Sequence, residues 1–195
     1  MPTRVILGPA AALIAGVVMS FGQTFSPEVL APLFNSAAPV VALAAAVSLA
    51  ARSAWAHALL GALAGPLAMV GYFATSDLRG FGVSMAWVIL WCTAGVIAGA
   101  AMGFAVWTLR NSSSWQMRAV AAAVFPGVAI GEAAHGLIRV SDTTPVAYWW
   151  AAVAVGVSVL AWLSITKLRD WKAVVAACVA TGAFAYALFF VYGAL

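Results

Sequence analysis

The sequence predicts an all-α fold: a polytopic membrane helical bundle of seven transmembrane helices, with the whole chain, 1–195, as one domain. Three observations carry this. Sixty-six per cent of the residues are hydrophobic and 7% are charged, against roughly a quarter charged in soluble domains. The apolar residues form continuous Ala/Val/Leu runs, where a membrane barrel would show alternating strands of roughly ten residues. The charges punctuate those runs, with one exception, Glu132.

A span needs roughly 20 apolar residues, fewer where flanking groups snorkel. The first, 5–22, follows Arg4 and resembles a secretory leader, but no small-x-small cleavage site follows it, so it reads as a span. The second, 36–52, is short and tightly joined to the third, 55–75. The fourth is 82–109 and the fifth 118–139. The sixth, 146–167, opens on Tyr148, Trp149 and Trp150; the seventh is 171–193. One set of alternate ends collects Arg4, Arg52, Arg110, Arg118, Lys167, Arg169 and Lys172, while the other holds only Arg79 and Arg139. Lys and Arg are retained on the cytoplasmic side, so the expected topology is N-terminus in and C-terminus out, in a bacterial plasma membrane.

The connection from Gly22 to Ser36 is too apolar for a solvated loop and too rich in proline for a span. It reads either as a lid dipping into the bundle, with Gln23 and Asn35 satisfying exposed backbone groups, or as a segment lying on the interface. Gly95, Gly99 and Gly103 recur every fourth residue, as do the pairs Gly61/Gly65 and Gly127/Gly131. Small residues at this spacing let helices approach closely, within the chain or across a homo-oligomer face. Pro66 and Pro126 lie inside spans and are expected to kink them.

Composition and motifs exclude several functions. The net charge of +4 comes from span ends, not from a basic run, so no nucleic-acid partner is expected. Cys92 and Cys178 lie mid-helix without metal-ligand spacing and read as small packing residues. His57 and His135 are on distant helices, so no metal is expected. No nucleophile elbow or phosphate loop occurs, and no lysine lies mid-span to form a Schiff base. No cofactor is expected.

Glu132 is then the informative residue. Carboxylates at membrane depth are costly and face a bundle interior, while Glu28, Asp77, Asp142 and Asp170 all fall in connections. On a helix, Glu132, His135 and Arg139 share one face at i, i+3 and i+7, which Phe125 and Val128 continue inward. Two readings stay open: an internal pair tying helices together, or an acid kept in a dry site, with His135 orienting it or relaying its proton. Most tryptophans read as interface belts: Trp55, Trp107, Trp115, Trp162 and Trp171 at one face, Tyr148, Trp149 and Trp150 at the other. Trp87 and Trp91 lie deeper and are expected to point inward, where with Tyr72, Phe184 and Tyr186 they would line an aromatic pocket beside Glu132. Gln23, Asn35, Asp77 and Arg139 complete the candidate substrate contacts at its outer end.

The run Phe21–Gly22–Gln23–Thr24, followed by Leu30–Ala31–Pro32–Leu33–Phe34–Asn35–Ser36–Ala37–Ala38–Pro39, resembles an actinobacterial family of small multi-pass membrane proteins without an assigned activity. In size, hydropathy and its embedded acid the chain also resembles the integral-membrane terpene cyclases of bacterial indole-sesquiterpene and meroterpenoid pathways. Related fungal cyclases use two carboxylates on different helices; here Asp77 and Asp142 stand at span ends. That resemblance implies a cyclase that protonates a lipophilic prenylated epoxide or alkene, with Glu132 as the acid, His135 as its orienter, and Trp87, Trp91 and Tyr186 stabilising the carbocation. The alternative is a binding or transport subunit. The substrate-binding components of energy-coupling vitamin transporters resemble the chain in length and have a pocket capped by the first loop, though usually on six helices. Under either reading the partners are a lipophilic small molecule and membrane lipids.

Overall fold

The computed structural model of the protein describes residues 2–194. They form seven α-helices and a 3-10 helix: α1 (Pro2–Phe25), the 3-10 helix (Glu28–Asn35), α2 (Ala37–Ser48), α3 (Ala54–Leu78), α4 (Met85–Asn111), α5 (Trp115–Arg139), α6 (Val146–Thr166) and α7 (Trp171–Gly193). Six helices are long and apolar enough to cross a membrane, and the 3-10 helix with α2, bent by 54° at Ser36, makes a seventh candidate span. The fold is therefore a polytopic membrane bundle. Its outer surface is apolar, with Ile89, Ile97, Ile138, Ile165 and Val179 all more than 60% exposed, as suits groups whose solvent is hydrocarbon. The side chain of Arg4, counted above among the cations of one end, lies outside the described residues.

The helices form two groups. α3 packs against α1, α2 and α4; α5 packs against α6 and α7; α4 and α2 join the groups through α5. Glycine sets the closest contacts. A methyl group at Gly61 or Gly65 would strike the carbonyls of Gly99 or Gly95, and one at Gly103 would strike that of His57. Gly131 meets the backbone of Ala185 on α7 in the same way. The glycine rows thus face helices of the same chain, which dispenses with side chains between them.

Three expectations change. The second span is shorter than 36–52, because α2 ends at Ser48 and Leu49–Ser53 turns into α3. The Gly22–Ser36 connection is largely helical: α1 continues to Phe25, and the 3-10 helix follows with none of its residues buried. Tyr148 and Trp149 are core residues, not belt residues, at 9% and 7% exposure. Gly136 on α5 leaves the hole that the Trp149 ring fills, and the indole N–H donates to Thr144 Oγ1 at 2.8 Å. α3 and α5 run unbroken through Pro66 and Pro126.

Candidate functional site

The site begins with a helix that lacks its own cap. α2 opens Ser36–Ala37–Ala38–Pro39, with no acidic residue in its first turn. The first backbone N–H groups of a helix have no intrahelical acceptor. Proline at the third position removes one donor, and Glu132, from the middle of α5, takes the next two. It accepts from the Ala37 N–H at 2.7 Å and the Ala38 N–H at 3.1 Å. The Ser36 hydroxyl, which would ordinarily cap its own helix, donates to Glu132 at 2.6 Å, and the Tyr192 hydroxyl donates at 3.3 Å. Glu132 is 5% exposed. A carboxylate is an acceptor-only group able to receive all four donors, and the positive end of the α2 dipole favours it there. It clasps the bent 3-10/α2 element to α5 and α7. Gln23 and Asn35 do not fill this role: Gln23 accepts a hydrogen bond from the Tyr72 hydroxyl, linking α1 to α3.

Beside the clasp lies a chamber of about 500 Å³. Its wall is apolar: Met19 of α1, Phe34 of the 3-10 helix, Val40 and Val41 of α2, Met69 and Phe73 of α3, Trp91, Ala94 and Ala98 of α4, Val128 of α5, and Leu188 and Tyr192 of α7. Ser36 and Tyr192 line it while Glu132 stands behind them. Trp87 and Trp91 stack with centroids 6.4 Å apart and planes 16° apart, and Trp91 continues onto Tyr192 at 5.7 Å. A second cavity of about 480 Å³ adjoins it toward the 79–84 loop, lined by Ser20, Gln23, Thr24, Ser76, Gly82 and Ser84. Asn35, Tyr72, Phe73, Trp87 and Trp91 belong to both linings and form the waist between chamber and vestibule.

The structure therefore brings Trp87, Trp91, Tyr72, Gln23 and Asn35 together, with Glu132 one layer behind. His135 is not among the partners of Glu132. Its ring lies against Tyr192 at 5.2 Å and Phe189 at 6.3 Å, and its buried Nδ1 has no partner among the described residues. The remaining candidates lie outside both linings. Arg139 sits over Phe189, and Asp77 is exposed at the end of α3. Phe184 packs on Gly127, Phe125 is half-buried on α5, and Tyr186 is 66% exposed against Phe190. The sequence reading passed over Tyr192, which touches Glu132, His135 and Trp91. Its signal was slight: one hydroxyl in the last turn of an apolar helix, like many interfacial tyrosines. Among the described residues no three His, Cys, Asp or Glu side chains cluster as a metal site.

The chain belongs to a family of unknown function, DUF6518, whose sequence model matches residues 1–195. No curated protein and no solved structure matches it.

Proposed function

We propose that the protein is a membrane-embedded small-molecule-binding protein, of the kind that serves as a substrate-binding or transport subunit, and that its ligand is lipophilic and sits in the chamber between α1, α2, α3, α4 and α7. One observation carries this reading: a preformed cavity of about 500 Å³, walled by aromatic and aliphatic side chains with a few hydroxyl and amide groups at one end. Ligand sites generally fall in the range of roughly 300–1,000 Å³ and have this mixture of walls. In a plasma membrane with the N-terminus inside, the vestibule opens to the outer side. Reporter insertions into the 112–114 and 140–145 loops test that orientation; activity of a cytoplasm-only reporter at 140–145 reverses it.

The binding test uses purified protein in nanodiscs and the sesquiterpene hydrocarbon farnesene, followed by tryptophan quenching and native mass spectrometry. Ala98 lines the chamber, so Ala98→Phe fills it and should abolish binding while the protein stays folded. Binding undiminished in Ala98→Phe would remove the chamber from the argument.

The stacked Trp87–Trp91 pair favours a second reading, protonation-initiated cyclisation of a prenylated substrate, since indole faces stabilise cations. There an acid protonates an epoxide oxygen, the C–O bond opens, an alkene pair closes a ring, and the final cation returns a proton, a net isomerisation. This reading asks Glu132 to supply a proton through the Ser36/Tyr192 layer. The binding reading asks nothing of it beyond the clasp and is the better supported. Incubation with a terminal farnesyl epoxide, with products read by mass spectrometry, separates the two: a cyclised product lost in Glu132→Gln but retained in a folded, ligand-binding control establishes catalysis.

A further inference from the structure

Chamber and vestibule differ in chemistry while sharing a waist. The chamber wall is hydrocarbon and aromatic; the vestibule adds Ser20, Gln23, Thr24, Ser76 and Ser84. Among the described residues, neither lining contains Asp, Glu, Lys, Arg or His. Arg79 is close by, but its guanidinium is engaged: it donates to the Ser20 carbonyl at 2.6 Å and to Ser20 Oγ at 3.2 Å, and lies over Phe21 and Phe25 of α1 and Phe81 of the 79–84 loop at 4.5, 5.4 and 5.1 Å. A charge buried without a partner is far more costly than a neutral polar group that finds hydrogen bonds. The site is therefore built against a charged head and for an uncharged one. Donors are in place. Gln23 accepts from Tyr72 through its carbonyl oxygen, leaving its amide hydrogens for a ligand, and the Asn35 amide and Ser84 hydroxyl make no hydrogen bond to other described residues.

We infer that the ligand is an uncharged amphiphile, an alcohol or carbonyl compound on a terpenoid-sized hydrocarbon body. The body occupies the chamber; the oxygen passes the Trp87/Trp91 waist and is held in the vestibule by the amide hydrogens of Gln23 and Asn35, while the Tyr72 oxygen, whose proton goes to Gln23, accepts from the ligand where the head is an alcohol. This rests on the binding reading and adds the head-group class and its position.

The test compares three ligands with one body, farnesol, farnesene and farnesyl monophosphate, by the same nanodisc measurement. Farnesol is expected to bind at least about tenfold tighter than farnesene, the ratio that one or two net hydrogen bonds supply, and tighter than the phosphate. Tyr72→Phe and Gln23→Leu should each erase most of that preference while leaving farnesene affinity within about twofold, because the aromatic and aliphatic wall is kept. Asn35→Ala gives a third, exposed position at which folding is least at risk. Equal affinity for farnesol and farnesene, both lost in Ala98→Phe, overturns the head site and leaves the binding reading standing. Tightest binding of the monophosphate overturns the uncharged class. Failure of all three to bind overturns the binding reading itself, and this inference with it.

Discussion

One half of the bundle is solid and the other hollow, and α4 shows why. Along one row of α4, a turn apart, stand Trp87, Trp91, Gly95, Gly99 and Gly103. The glycines press onto Gly65, Gly61 and His57 of α3, so at that end the two backbones touch. The same end buries Ser48, Thr108 and Leu168 almost completely. Toward the other end the row carries indoles, and Trp87 and Trp91 stack along the wall of the chamber. One row of α4 thus serves close packing at one end and lines the chamber at the other.

Substitutions in the two halves should then have opposite consequences. Gly99→Leu places a side chain against the Gly61 carbonyl, and no flexible neighbour can give way. Overpacking of this kind costs about 3 kcal/mol or more, so little monodisperse protein should be recovered in detergent. Ala98→Phe, one residue away but facing the chamber, should change stability by less than about 1 kcal/mol, because it fills space instead of displacing backbone. Equal losses in the two variants would mean that the chamber closes in the membrane.

The clasp is the next largest effect. Glu132→Ala strands the Ala37 and Ala38 N–H groups and the Ser36 hydroxyl, and leaving a buried donor without its acceptor costs roughly 1–3 kcal/mol. A loss of about 3 kcal/mol in thermal or denaturant unfolding is expected, with faster hydrogen exchange at Ala37 and Ala38. Glu132→Gln keeps one acceptor oxygen and should fall between. An unchanged melting temperature in Glu132→Ala would remove the clasp as a structural element.

What the sequence revealed follows the range of the interactions. Hydropathy is local, so six of the expected spans match helices within a few residues; the shorter α2 departs at its far end, where Leu49–Ser53 turns into α3 although Leu49, Ala50 and Ala51 prolong the apolar run. Trp87 and Trp91 both line the cavities, as their place on the glycine row of α4 suggests, but Trp87 is 44% exposed and so points inward only in part. The partnership of Glu132 with Ser36, Ala37 and Ala38 spans more than ninety residues, and nothing in either segment names the other. A clue existed on each side: a helix start with no acid in its first turn, and a lone embedded acid without a basic partner. Tyr148 and Trp149 misled because aromatic residues at a span end look the same whether they anchor in lipid or fill a hole left by Gly136.

At the hollow end, Trp91→Leu should weaken farnesol binding by about tenfold and lower stability by about 1–2 kcal/mol. Trp91 touches the ligand space on both sides of the waist and stacks on Trp87 and Tyr192. Aromatic pairs of this kind contribute roughly 0.5–1.5 kcal/mol each beyond their burial, and the two pairs at Trp91 set the expected loss. A loss of stability without a loss of affinity would assign Trp91 to packing.

The smallest effect is expected at Tyr186, and it tests how α7 is turned. Tyr186 and Tyr192 are both aromatic and both on α7, but six residues separate them, and on a helix that turns them about 120° apart. Tyr192 is drawn inward by Glu132, His135 and Trp91. Tyr186 is 66% exposed and meets only Phe190 of its own helix among the aromatic rings, at 4.5 Å. Tyr186→Leu replaces one lipid-facing apolar surface with another, so stability should stay within about 0.5 kcal/mol and farnesol affinity within about twofold. Tyr192→Phe removes the hydroxyl from Glu132 and should cost about 1 kcal/mol. If instead Tyr186→Leu abolished binding while Tyr192→Phe were silent, α7 would be rotated by about a third of a turn in the membrane. Glu132 would then have lost its fourth donor, and the chamber the wall that Leu188 and Tyr192 give it.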